Sequence, residues 1–433
     1  MRKTKTLALA LAMASALPAF LTHADDKNND RDDRDSKSRV QLGPRPFYLV
    51  EGLEDGKLKD RLMQCEKGPF YRTDFSIGHR GAAMQFPEHT KEAYNAGARM
   101  GAGIVECDVT FTRDREFVCR HAENDLHTTT NILATTLASS CRTPFTPAEI
   151  DANGKVVTPA TAECRTSAIT LDEFGTLRGK MDAFNPAARN VSEYLGGTAN
   201  WRTDLYTGRG TLMTLRESIA LNEKNGVKHT PELKGGDPAT IAAIFGSQKE
   251  YALRFADELR AAGVKPRDVW PQSFNVEDVL VWIDNTEYGK QAVYLLDYDT
   301  TKDDIIIQSP YDKMDRMEYF KMLKERGVRI IAPSMPALLA VDATGRIVPS
   351  QLAKDLKKMG FDIITWTFER SDLRQGASKA GYYYDFDPTG AAIKKDSDMY
   401  KALDVLAKEV KILGIFSDWP ATVTYYANCM GLK

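Results

Sequence analysis

From Phe75 to the end of the chain, short apolar runs alternate with longer amphipathic segments. Short runs rich in Val and Ile are typical of strands buried on both faces of a parallel sheet, and amphipathic segments between them are typical of crossover helices. We therefore predict an α/β protein with a (β/α)8 TIM-type barrel, whose reactive groups would lie at the carboxyl ends of the strands. The eight predicted strands are 75–79, 104–109, 228–233, 269–274, 292–296, 329–333, 362–367 and 413–417.

Helical patterns lie between most of these strands, and each ends at or near a Gly, which is a common helix stop. The predicted helices include 88–99, 215–224, 241–262, 319–326 and 351–359. One connection does not fit this scheme. More than a hundred residues separate the second strand from the third, far beyond the roughly 2–6 residues of an ordinary strand-to-helix loop. We therefore expect an inserted subdomain at about 122–210, within a barrel that spans 40–433.

The start of the chain has the pattern of a secretory signal peptide over residues 1–24. Basic residues precede an apolar run at 7–21, and small residues suited to cleavage follow it. Residues 25–39 contain no aliphatic or aromatic side chain, which predicts a solvated, charged linker. No later apolar stretch approaches the roughly 18 residues that span a bilayer. We expect a periplasmic or secreted protein with no stable membrane insertion.

The charge of the chain argues against polyanionic partners. The formal net charge is -2, and it becomes more negative when the basic residues of the leader are removed. Neither nucleic acid nor an anionic membrane surface is favoured by such a balance. The expected partner is a small molecule, and the oligomeric state stays open.

Six cysteines in an exported chain favour disulfides over reactive thiols. The sequence alone leaves every complete pairing open. We expect at least one disulfide, with Cys141–Cys164 favoured because both residues share one loop-rich stretch. Cys107 and Cys119 flank a turn and can meet across a hairpin, although Cys107 is equally well explained as a small buried hydrophobe. Cys65 and Cys429 would then remain.

Acidic side chains stand near the ends of the predicted second and third strands. Glu106 and Asp108 are two residues apart and share one face, and Glu232 with Lys234 repeats that spacing. Buried like charges are costly unless a cation or a basic partner compensates them. Three hard oxygen ligands favour one Ca²⁺ or Mg²⁺ ion. The alternative is an ordinary ion network that pairs Glu232 with Lys234 and Glu106 with Arg80.

Two histidines accompany these carboxylates. His79 and Arg80 end the first strand, and His121 follows Asp108 by thirteen residues, beyond a hairpin that would return the chain to the same strand end. Two histidines beside a divalent cation suit phosphoryl transfer, because one can take a proton from the attacking oxygen and the other can protonate the departing alkoxide.

In this order the motifs resemble those of the glycerophosphodiester phosphodiesterase family, and the resemblance spans about 75–421. The matching segments are His79-Arg80-Gly81, Pro87-Glu88-His89-Thr90, Glu106-Cys107-Asp108-Val109, His121, Glu232-Leu233-Lys234, Gln272-Ser273-Phe274, Trp366-Thr367 and Ser417-Asp418-Trp419-Pro420. Departures from the family pattern are His89, Ser417 and Trp419. We expect His89 to replace a contact near a helix start, and Trp419 to alter the wall that faces the alcohol.

The resemblance implies hydrolysis of glycerophosphodiesters to sn-glycerol 3-phosphate and an alcohol. It implies that a glycerol hydroxyl attacks phosphorus and that water then opens a cyclic phosphate. The roles it implies are Glu106, Asp108 and Glu232 as ligands of one divalent cation, His79 and His121 as the acid–base pair, and Arg80, Lys234, Gln272 and Trp366 as substrate contacts.

Three other functions stay open from the sequence. The first is a related barrel enzyme of the phospholipase D or sphingomyelinase D type, which acts on intact lipids. The second is a secreted binding protein without catalysis, which would not need two histidines together with three carboxylates. The third is a structural metal-binding protein, which turnover of any phosphodiester would exclude.

Overall fold

The computed structural model describes residues 40–203, 205–206 and 208–433. The predicted signal peptide, 1–24, and the predicted linker, 25–39, lie outside these residues. Within the described part, no helix combines the length and the apolar character needed to cross a membrane.

Eight parallel strands close into a barrel, which confirms the predicted fold. Neighbouring strands pair in the order of the chain, and the first strand pairs with both the second and the eighth. Ile77, for example, lies opposite Ile104 on one side and is in register next to Phe416 on the other. All carboxyl ends therefore meet on one rim. The strands are Thr73–Gly78, Ala102–Phe111, Lys228–Leu233, Gln272–Ser273, Val293–Leu296, Ile330–Pro333, Asp362–Phe368 and Gly414–Ser417.

The strand residues divide between two apolar clusters because side chains alternate along a strand. One cluster fills the inside of the barrel with mostly aliphatic side chains from different strands, as expected for a packed barrel. Its buried members are Ile77, Ile104, Val293, Leu295, Ile330, Ala332, Ile364 and Phe416. The other cluster contains the remaining strand residues and the buried faces of the helices, and it forms the main core.

Helices connect the strands and flank them at the two ends of the described chain. The helices before the first strand are Arg45–Glu51 and Lys57–Gln64. Those of the barrel are Lys91–Arg99, Leu215–Asn225, Pro238–Phe245, Gln248–Ala261, Val276–Asn285, Arg316–Glu325, Met335–Leu338, Gln351–Lys358, Met399–Val405 and Pro420–Met430. Short pairs of antiparallel strands lie in the loops, at Tyr298–Asp299 with Asp304–Ile305 and at Leu339–Val341 with Ile347–Pro349.

The predicted helix 88–99 begins three residues later than expected. Thr90 caps it, because its side-chain oxygen accepts a hydrogen bond from the backbone of Ala93 at 3.3 Å. The preceding His89 has a φ of 55°, in the left-handed region, so the helical conformation cannot extend back through it. The prediction was therefore wrong for residues 88–90.

The predicted helix 241–262 is two helices. The first ends before Gly246, whose φ of 93° is incompatible with a continuing right-handed helix. The second begins after Ser247, whose hydroxyl accepts a hydrogen bond from the backbone of Glu250 at 3.1 Å. The periodicity of apolar residues continues across the break, so the sequence pattern concealed it.

The segment between the second and third barrel strands, residues 112–227, is called the long connection below. It starts with Phe117–Cys119, which pairs antiparallel with the second strand and confirms the predicted hairpin. A separate apolar cluster, which includes Ile132, Phe174 and Tyr194, lies within it. Before the helix Leu215–Asn225 it also contains three kinds of short element. The α-helices are Leu126–Thr129, Leu171–Thr176 and Val191–Leu195, the 3₁₀ helices are Ile132–Ala134, Thr136–Ser140 and Thr166–Ala168, and the strands are Thr143–Thr146, Glu149–Ile150, Val156–Thr158 and Thr161–Glu163.

Three disulfides join the six cysteines, so the favoured Cys141–Cys164 pair is confirmed. That bond lies entirely inside the long connection. Cys107–Cys119 links the second barrel strand to the short antiparallel strand beside it. Cys65–Cys429 joins the end of the helix Lys57–Gln64 to the last helix.

Candidate active site

A cavity of about 570 Å³ opens among the carboxyl ends of the barrel strands. Polar and charged side chains line one part of it, and they include both predicted histidines and all three predicted carboxylates. The other part is apolar and mostly aromatic. Its members are Phe184, Phe274, Leu295, Trp366, Tyr383 and Phe416.

Glu106, Asp108 and Glu232 lie together in this cavity, as the sequence pattern predicted. They come from neighbouring parallel strands, and Asp108 is in register with Glu232. One oxygen atom of each carboxylate lies within 4.8 Å of the others, and all three side chains are buried. Hard oxygen donors at this spacing suit a divalent cation such as Ca²⁺ or Mg²⁺.

The negative charge of this cluster is only partly compensated. Burial raises the pKa of Glu106 well above its ordinary value, and the charges of Asp108 and Glu232 add to this effect. Burial also raises the pKa of Glu232 to about 8, against the opposing effect of Lys234. Asp108 Oδ1 is buried without a hydrogen-bond partner. A buried carboxylate oxygen without a hydrogen-bond partner, next to two carboxyl groups with raised pKa values, fits a cation-binding site.

The alternative ion network is present in part. Lys234 Nζ lies 2.6 Å from Glu232 Oε1, as that alternative required. Arg80, however, meets Glu106 through its backbone N–H at 2.9 Å, and its guanidinium instead pairs with Glu88 at 2.7 Å and approaches Asp108 at 3.5 Å. Despite burial, Lys234 and then His89 hold the pKa of Asp108 well below its ordinary value.

His79 faces the carboxylates with one ring nitrogen. Its Nδ1 lies 2.5 Å from Asp418 Oδ1, and its Nε2 lies 3.8 Å from Glu106 Oε2. Burial lowers the pKa of His79 to about 4, although Asp418 acts to raise it. A neutral ring that donates Nδ1–H to Asp418 leaves the Nε2 lone pair available inside the cavity.

His121 lines the same cavity, at the end of the predicted hairpin. The preceding residue, Arg120, donates its backbone N–H to the Asp108 carbonyl at 2.8 Å. The fully buried Arg120 guanidinium also donates to backbone carbonyls, including those of Cys119 and Glu88. Burial, and next the charge of Arg80, lowers the pKa of His121 well below its ordinary value. The hairpin therefore holds a second neutral imidazole near the carboxylates.

The four predicted substrate contacts have different positions. Arg80, Lys234 and Trp366 line the cavity. Gln272 is fully buried, and its amide donates to Glu106 Oε1 at 3.0 Å. That contact can orient a carboxylate, and direct contact between Gln272 and substrate stays a prediction.

The three departures from the family pattern have different surroundings. Ser417 is buried at the end of the eighth strand, and its hydroxyl accepts a hydrogen bond from the Trp419 backbone at 3.1 Å. His89 Nε2 lies 2.8 Å from Asp108 Oδ2, and its Nδ1 lies 3.1 Å from the Tyr94 hydroxyl. The side chain therefore contacts one of the clustered carboxylates directly. Trp419 is partly buried against the main core at the start of the last helix.

Sequence reasoning assigned no role to three charged residues of the site, although Asp418 belongs to one of the matching motifs. Asp418 directly follows the eighth strand, so its position at a strand end was the available signal. Arg370 follows the seventh strand by two residues and contacts Asp418 at 2.9 Å. Asp182 lies in the long connection and gave no sequence signal.

Residues 79–422 match the model of the Glycerophosphoryl diester phosphodiesterase family. The chain belongs to this family. Family membership makes it an enzyme, a phosphoric diester hydrolase. The match covers the strand-end motifs from His79 to Asp418, including all three clustered carboxylates.

The relatives of this chain differ in sequence identity and in the share of the chain that they cover. An extracellular protein of Arthroderma benhamiae is 40% identical over 256 residues, which are 58% of this chain and all of that protein. A glycerophosphodiester phosphodiesterase of Arabidopsis thaliana is 20% identical over 88% of this chain and 91% of its own. A crystal structure from Silicibacter pomeroyi, provisionally named a glycerophosphoryl diester phosphodiesterase, shares the fold. It covers 82% of this chain and 94% of its own at 18% identity, with a TM-score of 0.50.

Proposed function

We propose that this phosphodiesterase hydrolyses glycerophosphodiesters, as small molecules, to sn-glycerol 3-phosphate and an alcohol. The observation that carries the proposal is the convergence of three buried carboxylates and two histidines on one cavity. The family supplies the reaction class, and the relative from Arabidopsis thaliana carries the name of this activity.

Glu106, Asp108 and Glu232 would hold one Ca²⁺ or Mg²⁺ ion. The donor set fits because all ligands are oxygens and Asp108 Oδ1 is buried without a partner. When bound, such an ion withdraws negative charge from the phosphoryl oxygens and favours ionisation of a hydroxyl that attacks phosphorus. Gln272 would keep the Glu106 carboxylate oriented for this purpose.

His79 and His121 would transfer protons on opposite sides of phosphorus. His79 is oriented for this role because Asp418 accepts its Nδ1–H, which directs Nε2 into the cavity. In the first step one histidine removes the proton of the neighbouring glycerol hydroxyl, and the other protonates the departing alkoxide. The same groups then act in reverse when water opens the cyclic phosphate. An attacking hydroxyl within the same substrate molecule has a high effective concentration.

Arg80 and Lys234 would contact the phosphate. Arg80 is buried and Lys234 is mostly buried, and both cations line the cavity beside the carboxylate cluster. Cations fixed in a water-poor site stabilise negative charge that develops on the phosphoryl oxygens. Trp366, on the aromatic side of the cavity, would contact the remainder of the substrate.

The apolar side of the cavity favours a second candidate function. Phe184, Tyr383 and Phe416 provide more apolar surface than a glycerol moiety needs. An enzyme of the phospholipase D or sphingomyelinase D type that acts on intact lipids would use such a surface for part of an acyl chain. Parallel assays with lysophosphatidylcholine and glycerophosphocholine separate the two candidates.

We propose that the enzyme is exported to the periplasm or secreted after removal of residues 1–24. The three disulfides and the relative named an extracellular protein support this location. The proposed organisation is a linker at 25–39 and a barrel at 40–433 that carries an insertion at about 122–210. The separate apolar cluster of the long connection supports the insertion.

Product analysis tests the function. Glycerophosphocholine, glycerophosphoethanolamine and bis(p-nitrophenyl) phosphate are incubated with the enzyme, with and without chelator. We expect sn-glycerol 3-phosphate from the first two substrates, and no product after chelation. Release of phosphocholine instead would show that the other phosphorus–oxygen bond is cleaved, and release of a lipid product from lysophosphatidylcholine alone would favour the second candidate.

A further inference from the structure

A line of alternating charges connects His79 with the long connection. Asp418 Oδ1 meets His79, and Asp418 Oδ2 accepts a hydrogen bond from Arg370 at 2.9 Å. The other terminal nitrogen of Arg370 lies 3.3 Å from Asp182 Oδ2. Asp182 is 188 positions away from Arg370 in the chain and comes from the long connection. A histidine of the barrel is thus linked to a carboxylate outside it through two intermediate side chains.

Further hydrogen bonds connect the two aspartates of this line, Asp418 and Asp182, so that the contacts form a closed ring. Asp182 Oδ1 accepts a hydrogen bond from Arg202 at 2.6 Å, and Arg202 also donates to the backbone carbonyls of Ala83 and Met84. The Met84 backbone N–H donates to the Asp418 carbonyl at 3.1 Å. Asp418 is therefore held twice, once through its carboxylate and once through its backbone. A ring of this kind fixes orientation better than a single ion pair, because no member can move without breaking two contacts.

The backbone around Asp182 is itself fixed. Lys180 is buried, and its ammonium donates to the carbonyls of Met181 at 2.6 Å and Ala183 at 2.7 Å, on either side of Asp182. It also donates to the Thr128 carbonyl at 2.8 Å. Although burial opposes it, Arg202 and next Arg370 hold the pKa of Asp182 below its ordinary value. A charged carboxylate therefore stands in one place beside Arg370.

We infer that Asp182 is a positioning residue for His79, acting through Arg370 and Asp418. This inference rests on the proposed function, in which His79 transfers a proton. Asp182 restrains Arg370, Arg370 restrains the Asp418 carboxylate, and Asp418 directs the imidazole so that Nε2 faces the reacting phosphate. The long connection thereby contributes to the acid–base machinery as well as to the wall of the cavity.

A double-mutant cycle on the enzyme purified after export tests this chain of contacts. We expect Asp182→Asn to lower kcat on glycerophosphocholine about tenfold while KM changes less than about twofold. In a His79→Ala background the same substitution should change kcat less than about twofold, because its effect passes through the imidazole. Equal losses in both backgrounds would overturn the inference, and so would a raised KM with an unchanged kcat.

Glu163→Gln is the matched control. Glu163 also belongs to the long connection and pairs with an arginine, Arg165, at 2.6 Å, but it does not belong to the ring. It should leave kcat and KM unchanged. If Asp182→Asn does not fold, Arg370→Lys keeps the positive charge and removes the fork that joins the two aspartates. Arg370→Lys should then show the same dependence on His79, and independence from His79 would overturn the inference.

A spectroscopic measurement separates this inference from the proposed function. The Nδ1 proton of His79, in a short hydrogen bond to Asp418, should give a far-downfield proton resonance in the chelated enzyme that disappears in His79→Ala. We expect Asp182→Asn to broaden or remove it, whereas Glu163→Gln should preserve it. An unchanged resonance in Asp182→Asn would overturn the inference even if the enzyme turned over no glycerophosphodiester.

Discussion

The barrel rim and the long connection hold their residues in place by different means. At the rim, Asp108 and Glu232 are fixed by the hydrogen-bonded register of two parallel strands. In the long connection the strands have only two to four residues, and a disulfide, capped helix starts and ion pairs fix the backbone instead. The groups expected to react therefore lie on regular strands, while the wall around them depends on individual side-chain contacts.

Loss of the cation should have the largest effect, and it tests the barrel side of this comparison. Chelation should abolish turnover, and Ca²⁺ or Mg²⁺ should restore it, because the three carboxylates otherwise repel one another and leave Asp108 Oδ1 unpartnered. Glu232→Gln should lower the free energy of metal binding, measured by calorimetry, by more than it lowers the free energy of unfolding, measured by thermal denaturation. Glu258→Gln is the control, since Glu258 is a buried glutamate paired with Arg216 away from the cavity. Full activity in metal-free enzyme would contradict the assignment.

Removal of either histidine should have the next largest effect. His79→Ala and His121→Ala should each lower kcat by about 10² to 10⁴, the usual contribution of a positioned acid or base, with little change in metal content. The double variant should be little worse if the two act as a unit. A p-nitrophenyl leaving group needs little protonation, so only the variant that lacks the general acid should recover on it.

His229→Gln controls for loss of a buried histidine. His229 is buried, pairs with Glu223 and does not line the cavity, so its replacement should leave kcat near the wild-type value. Near-normal rates for both His79→Ala and His121→Ala on glycerophosphocholine would show that neither histidine transfers a proton.

Removal of the disulfide in the long connection should separate the two regions. In the chain-entropy model, the Cys141–Cys164 link contributes about 3 kcal/mol, because it closes a loop whose ends are 23 positions apart in the chain. A variant with serine at both positions should therefore unfold at lower urea concentration while the carboxylate cluster still binds metal. Unchanged urea stability, or loss of metal binding in the folded variant, would contradict the division into two regions.

A buried carboxyl group of the barrel should give the smallest effect. Burial raises the pKa of Asp278 to about 6, above that of an unfolded chain, so the folded state loses stability as pH rises from about 4 through 6. Asp278→Asn lacks this titration. From pH 4 to pH 7 its free energy of unfolding should therefore rise by about 2 kcal/mol relative to that of the wild type. Urea unfolding of both proteins at pH 4 and at pH 7 measures this difference. Asp284→Asn, on the same helix with a 52% exposed side chain, is the control for removal of a carboxylate from this helix. An unchanged stability difference between Asp278→Asn and the wild type at the two pH values would contradict burial as the cause.

The sequence allowed the barrel and the carboxylate cluster to be predicted because both depend on local patterns. A strand period of two places Glu106 and Asp108 on one face, and parallel strands bring Glu232 to the same rim. The break at Gly246 and the left-handed backbone at His89 were missed, because apolar periodicity does not report φ. The Asp182–Arg370 contact joins residues too distant in the chain for any spacing rule to connect them.

The Cys65–Cys429 bond lies close to the place where the barrel itself closes. Because it ties the segment before the first strand to the helix after the last one, the chain between these cysteines is a covalent ring that encloses every strand of the barrel. A protease that cuts one surface loop of this ring opens it but releases no fragment. An enzyme exported as proposed above can therefore be cut once by a protease and still keep all parts of its catalytic rim in one covalent molecule.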